Sequence, residues 1–109
     1  MKVSCLQENL AKGLNIVSRA VSTRSMLPVL ANVLLETDNG RLKLSATNLE
    51  IVVTAWIGAK VEEEGAVTIP ARTLSDLVGA LPQDRVDLAL NEQTQTLHIT
   101  CGRTEANIK

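Results

Sequence analysis

Apolar side chains recur at spacings of three and four between residues 6 and 21, where Leu6, Leu10, Leu14, Val17 and Val21 fall on one stripe of an α-helix. Gln7, Glu8, Lys12, Asn15, Ser18, Arg19 and Ser22 take the opposite side. Glu8 stands in the first turn and Arg19 in the last, the arrangement the helix dipole favours. Gly13 costs such a helix about 1 kcal/mol relative to alanine, so packing of the apolar stripe must supply much of its stability. One side of this helix is built for burial, and the other is polar and mildly basic.

Elsewhere the period is two. Residues 1–5 alternate as a short strand, with Lys2 and Ser4 outward. A polar loop at 22–26 carries Arg24, and Pro28 bars a helix at Leu27. Residues 29–37, rich in Val and Leu, read as a strand. Asp38-Asn39-Gly40 marks a hairpin, because Asn and Gly tolerate the positive φ of tight turns. The return strand at 41–46 sets Leu42, Leu44 and Ala46 inward, and Arg41, Lys43 and Ser45 outward. After a turn at 47–49, a strand at 50–57 places Ile51, Val53, Ala55 and Ile57 on one face and Val52, Thr54 and Trp56 on the other. Residues 58–65, with the run Glu62-Glu63-Glu64, read as a loop.

The order then begins again. A strand at 66–69 leads into a helix at 71–81, held between Pro70 and Pro82, with Leu74, Leu77, Val78 and Leu81 on its buried stripe. A strand at 85–90 has Val86, Leu88 and Leu90 inward. A loop at 91–95, a strand at 96–101, a turn at Gly102 and a strand beginning at 103 complete the chain. The reading is strand, helix, strand, strand, strand, twice over: an internal repeat carried by the order of elements. Either half alone leaves a helix stripe and a sheet face exposed. Two halves side by side cover both, which predicts one α+β domain over residues 1–109, with two helices on antiparallel sheet. Lys109 falls inside the last predicted strand, as if the chain continued in a longer protein.

Composition narrows what this domain can do. Trp56 is its only aromatic in a chain that is 45% hydrophobic, so the core is Leu, Val, Ile and Ala. Eleven basic and twelve acidic residues leave a net charge of −1, which excludes a strongly basic nucleic-acid binder but leaves room for a protein that touches DNA lightly. A polar N-terminus and the lack of a long apolar run point to a soluble, cytoplasmic protein that engages no membrane. Cys5 and Cys101 form no CxxC motif and alternate in phase with core residues, so they read as small buried hydrophobes. A disulfide would require adjacent strands. His98 alternates with Thr96 and Thr100 and reads as a surface histidine. No phosphate-binding glycine motif, nucleophile context or metal-ligand cluster is present. Asp76, Asp84 and the three glutamates read as solvated charge. The chain does not read as an enzyme and calls for no cofactor.

What remains is the polar side of the helices. Lys12 and Arg19 lie seven residues apart, two turns or roughly 10 Å. Arg24 follows in the loop, and Arg72 opens the second helix. Sparse cations on one surface of a near-neutral domain suit a protein that passes along DNA without reading bases, through a few water-mediated phosphate contacts.

The segments TRSMLPVLANVLLE (23–36), LKLSATNLEIVV (42–53) and TIPARTLSDLVGALP (68–82), together with the opening MKVSCLQENLAKGL and the trio Gly102-Arg103-Thr104, resemble the bacterial DNA polymerase III β subunit, the sliding clamp. The resemblance covers the whole chain, with its motifs in the same order and spacing. It implies the DNA-clamp fold, a duplicated βαβββ unit, and places this chain as the first of three domains. Such chains form head-to-tail dimers, rings of six similar domains that enclose double-stranded DNA, with helices lining the hole. On this resemblance Arg24 and Arg72 match DNA-contacting positions, while Lys12 and Arg19 are candidates by position. The last strand would pair with the third domain of a second clamp subunit through Arg103, Thr104, Glu105, Ala106 and Ile108. Here the sequence departs: Glu105 and Ala106 stand where relatives can carry a basic and a larger apolar residue, and Gly79 and Ala80 where some carry a cation. Polymerase and clamp loader would bind elsewhere on the full chain, between the second and third domains. The alternative is a free-standing clamp-fold module that pairs protein edges and does not encircle DNA.

Overall fold

The computed structural model describes residues 1–20, 31–48 and 50–108, so Val21, the Arg24 loop, the predicted strand start at 29–30, Leu49 and Lys109 lie outside the described residues. The elements in chain order are β1 (Lys2–Leu6), α1 (Gln7–Val17), a 3-10 turn (Ser18–Ala20), β2 (Asn32–Asp38), β3 (Arg41–Thr47), β4 (Val52–Gly58), β5 (Lys60–Glu63), β6 (Ala66–Pro70), α2 (Ala71–Ala80), β7 (Arg85–Asn91), β8 (Thr96–Cys101) and β9 (Thr104–Ile108).

Local physics accounts for most of these boundaries. Asn39 and Gly40 take φ of 49° and 78°, the pair of positive values that a two-residue hairpin needs. α1 gives way to the 3-10 turn at Ser18, whose hydroxyl donates to the Asn15 carbonyl at 2.9 Å and so competes for the helix's own acceptors. Leu6 corrects the predicted stripe. It closes β1 in extended backbone (φ −85°, ψ 138°), so its side chain alternates away from Cys5 and is half exposed. Gln7 takes the buried place instead and donates from Nε2 to the Val78 carbonyl at 2.8 Å, tying the start of α1 to the end of α2.

Two further readings change. The acidic stretch read as loop contains β5, antiparallel to β1 with Val3 opposite Val61, and Lys2 pairs with Glu62 at 3.4 Å. Its sequence offers only one core-facing residue, half-buried Val61, and the strand is held by backbone pairing that no side-chain pattern announces. Ile51 precedes β4 rather than joining it. Its carbonyl accepts from the Asn48 N–H, and its side chain is exposed.

The largest departure is topological. The sheets run β5-β1-β7-β8-β9 and β4-β3-β2-β6, with every neighbouring pair antiparallel. The two halves exchange their first strands: β1 joins β7 of the second half, and β6 joins β2 of the first. Neither half closes a sheet by itself, so the repeat is interlocked rather than set side by side. One buried core results, in which Val3, Val86, Leu88, Leu97 and Ile99 from the five-stranded sheet join Leu35, Leu42, Leu44 and Ile69 from the four-stranded one.

Cys5 and Cys101 both lie opposite Val86, on either side of β7. Two strand spacings, about 9.5 Å, separate them, beyond disulfide reach. Both are buried free thiols. Desolvation raises both, with help from Asp87 at Cys5 and from Asp84 and Asp87 at Cys101, and Cys5 is pushed up to about 12. The unfolded thiol loses its proton near pH 9 while folded Cys5 keeps its own to about 12. Stability is therefore intact below pH 9 and falls as pH rises through that window. Urea melts should show a loss of about 1 kcal/mol between pH 8 and pH 10, and Cys5→Ala should flatten the slope. An unchanged slope in that variant would assign the loss to other groups.

Candidate nucleic-acid interface

The helices share one layer. α1 lies across β3 and β4, burying Leu10, Leu14 and Val17, while α2 packs on β6 and β2 and against α1, burying Ala71, Leu74 and Val78. Between them runs an open groove of about 450 Å³, floored by Ala11, Leu14, Ala71 and Ser75 and flanked by Arg72 and Asp76.

The outward side of α1 presents Glu8, Lys12, Asn15 and, one turn on, Arg19, all exposed. Arg72 stands exposed in the first turn of α2. None of Lys12, Arg19 and Arg72 makes a hydrogen bond or ion pair with any described residue, and Glu8 and Asp76 are the carboxylates of this layer. Cations on the sheets behave differently. Lys2 meets Glu62 at 3.4 Å, Lys43 meets Glu36 at 3.8 Å, and Arg85 meets Asp87 at 3.4 Å. Arg41 and Lys43 also lie over the Trp56 ring, 5.7 and 5.8 Å from its centroid, and the Trp56 indole donates to Asp38 at 2.8 Å. Three of the sheet cations are thus paired with carboxylates, while Lys60 on β5 and Arg103 in the turn after β8 have no such partner among the described residues. On the helix layer every described cation is left free for an anion. Arg24 lies outside the described residues.

β9 ends the five-stranded sheet and, among the described residues, pairs only with β8. Ile108 is buried and Ala106 half-buried, while Thr104, Glu105 and Arg103 are exposed. Arg103 belongs to the turn, where Gly102 takes φ 59°, and not to the strand as predicted. His98 faces outward beside β9, its Nδ1 2.6 Å from Asn107 Oδ1 and its Nε2 3.7 Å from Glu105. Among the described residues no cluster of His, Cys, Asp or Glu could hold a metal. Sequence reading missed the His98–Asn107–Glu105 cluster and the Trp56 stack. Both join residues from different strands, so the only available signal was the shared outward phase of each strand.

The family described as the DNA polymerase III beta subunit, N-terminal domain, matches residues 1–109. A beta sliding clamp from Synechococcus elongatus is 44% identical over 106 residues, covering 94% of this chain and 28% of the relative. One from Caulobacter vibrioides is 33% identical over 109 residues, covering 99% and 29%. Among solved structures, Caulobacter crescentus pol III beta superposes with a TM-score of 0.93 at 33% identity over 99% of this chain and 30% of that one. A protein from Eubacterium rectale, titled a putative DNA polymerase III beta subunit, reaches 0.94 at 32% identity over 99% and 29%. The chain thus spans about 28% of the length of the first of these relatives, and its two helices on antiparallel sheets are the clamp fold.

Proposed function

The chain belongs to the family of the DNA polymerase III beta subunit, as its N-terminal domain, and on that premise we propose that it forms one segment of a sliding clamp that encircles duplex DNA and tethers the replicative polymerase. The observation that carries this reading is that Lys12, Arg19 and Arg72, the described cations of the helix layer, are all free on one surface, whereas Lys2, Lys43 and Arg85 on the sheets are paired with carboxylates. The helix layer faces the duplex. Its cations, with Arg24, hold phosphates loosely and read no bases, so the protein tracks DNA without sequence preference. Topology rather than affinity keeps the ring in place, which is why a net charge of −1 suffices. The role is that of a non-catalytic accessory subunit that needs no cofactor.

The ring closes head to tail, with β9 and the neighbouring Arg103 meeting the third domain of a second subunit; Thr104, Glu105, Ala106 and Ile108 form this chain's share of the contact. Polymerase and clamp loader engage the full polypeptide elsewhere. No helix among the described residues is long and apolar enough to cross a membrane, in keeping with work on chromosomal DNA in the cytoplasm.

The test is retention of the native polypeptide containing this domain on nicked circular DNA, with its loader, before and after linearisation. Retention on circles that disappears once ends are available is the expected result. Equal behaviour on both would replace the ring with the second reading, a module that pairs protein edges. That reading draws on another edge strand, β4, where Val52 is 70% and Trp56 47% exposed.

A further inference from the structure

Among the described residues β9 is hydrogen-bonded on one side only, so its other side offers backbone N–H and C=O groups to a neighbouring strand. Its register sorts the side chains. Ala106 and Ile108 turn toward the core, while Glu105 and Asn107 stand on the outer face opposite Thr100 and His98. These two outer residues differ. Asn107 Oδ1 is engaged by His98 Nδ1 at 2.6 Å. Glu105, its side chain 68% exposed, has only His98 Nε2 nearby, at 3.7 Å. An imidazole whose Nδ1–H is given to Asn107 presents Nε2 as a lone pair when neutral, which leaves a carboxylate unsatisfied.

Among the described residues no cation other than His98 forms an ion pair with Glu105. The row that continues from Glu105 runs through Thr100, Asp87 and Ser4 to Lys60 on β5, four strand spacings or about 19 Å away and out of pairing reach. Asp87 is a second carboxylate, already held by Ser4 Oγ at 2.6 Å and Arg85 Nε at 3.4 Å. Glu105 is therefore an uncompensated negative charge on the outer side of an open strand edge.

Building on the ring reading, we infer that β9 selects as its neighbour a strand that carries a lysine or arginine beside Glu105 on the outer face and a large apolar side chain beside Ala106 on the core face. Cross-strand neighbours on one face sit about 5 Å apart, close enough for opposite charges to attract and like charges to repel. Ala106 is small and only half-buried, so a bulky neighbour fills the space it leaves. The same carboxylate disfavours edges that bring an acid to that position, so it acts on partner choice as well as strength.

Sedimentation velocity on the native full polypeptide tests this, comparing wild type, Glu105→Gln and Glu105→Lys at low and high salt. Glu105→Gln should weaken the dimer a few-fold and Glu105→Lys about tenfold. The difference should shrink in 1 M salt, where screening acts within about 3 Å. Both variants should melt as wild type does, because the side chain is exposed. A Glu105→Lys dimer as tight as wild type, or a defect indifferent to salt, overturns the inference and leaves the ring standing. A wild-type polypeptide that stays monomeric at every concentration overturns the ring reading itself, and the inference with it.

Discussion

Gly13→Leu is expected to destabilise the domain by about 3 kcal/mol in urea melts, while Gly13→Ala stays within about 1 kcal/mol of wild type. Gly13 lies buried in the middle of α1, where glycine is a poor helix former. A Cβ built there sits 3.2 Å from Ile57 Cγ2 and 3.4 Å from Leu44 Cδ1. The bare Cα thus lets the helix rest close on β3 and β4. An alanine methyl presses on two side-chain ends that can yield by a few tenths of an ångström, and its better helix propensity offsets the crowding. Leucine adds three more carbons to a close-packed interior with no room for them. Lys12 is the next residue on α1, so lifting the helix also displaces the cationic surface relative to Arg72. A well-tolerated Gly13→Leu would mean that something other than this glycine sets the helix–sheet spacing.

Reversal of the helix-layer cations, Lys12→Glu with Arg19→Glu and Arg72→Glu, is expected to abolish most salt-sensitive DNA retention while leaving the fold intact. All three side chains are exposed and make no hydrogen bond or ion pair with the described residues, so stability should stay within about 0.5 kcal/mol per site. Each phosphate contact removed lowers the slope of log affinity against log salt by about 0.9, roughly 3 for the set. The matched control reverses Lys2, Lys43 and Arg85 instead. It makes the same change in net charge, but at cations already paired with Glu62, Glu36 and Asp87. That control should cost about 0–1 kcal/mol of stability per pair and leave DNA retention near wild type. Equal loss in both variants would mean that total charge, not the helix layer, governs the interaction with DNA.

The sequence by itself determined whatever is decided within a few residues. The Asn39-Gly40 turn follows from positive φ, α2 from an apolar stripe between Pro70 and Pro82, and the inward phase of Leu42, Leu44 and Ala46 from the pleat of a strand. The order of elements disclosed the repeat, and motifs such as TIPARTLSDLVGALP disclosed the family. Tertiary structure alone decided how the halves interlock. Backbone hydrogen bonding is generic, so nothing in Lys2–Leu6 specifies β7 as its neighbour, and nothing in Lys60–Glu63 announces pairing with β1. The same holds at the candidate sites. Lys12, Arg19 and Arg72 were legible as outward cations from helical period. That they stand unpaired while Lys2, Lys43 and Arg85 each meet a carboxylate depends on acids brought near by folding. Glu105 was visible as a residue out of pattern, but its situation became definite only when β9 emerged as a sheet edge on which His98 is its one ion-pair partner among the described residues. Period and turn chemistry are encoded locally, whereas pairing and charge compensation are properties of neighbours that the chain acquires only when it folds.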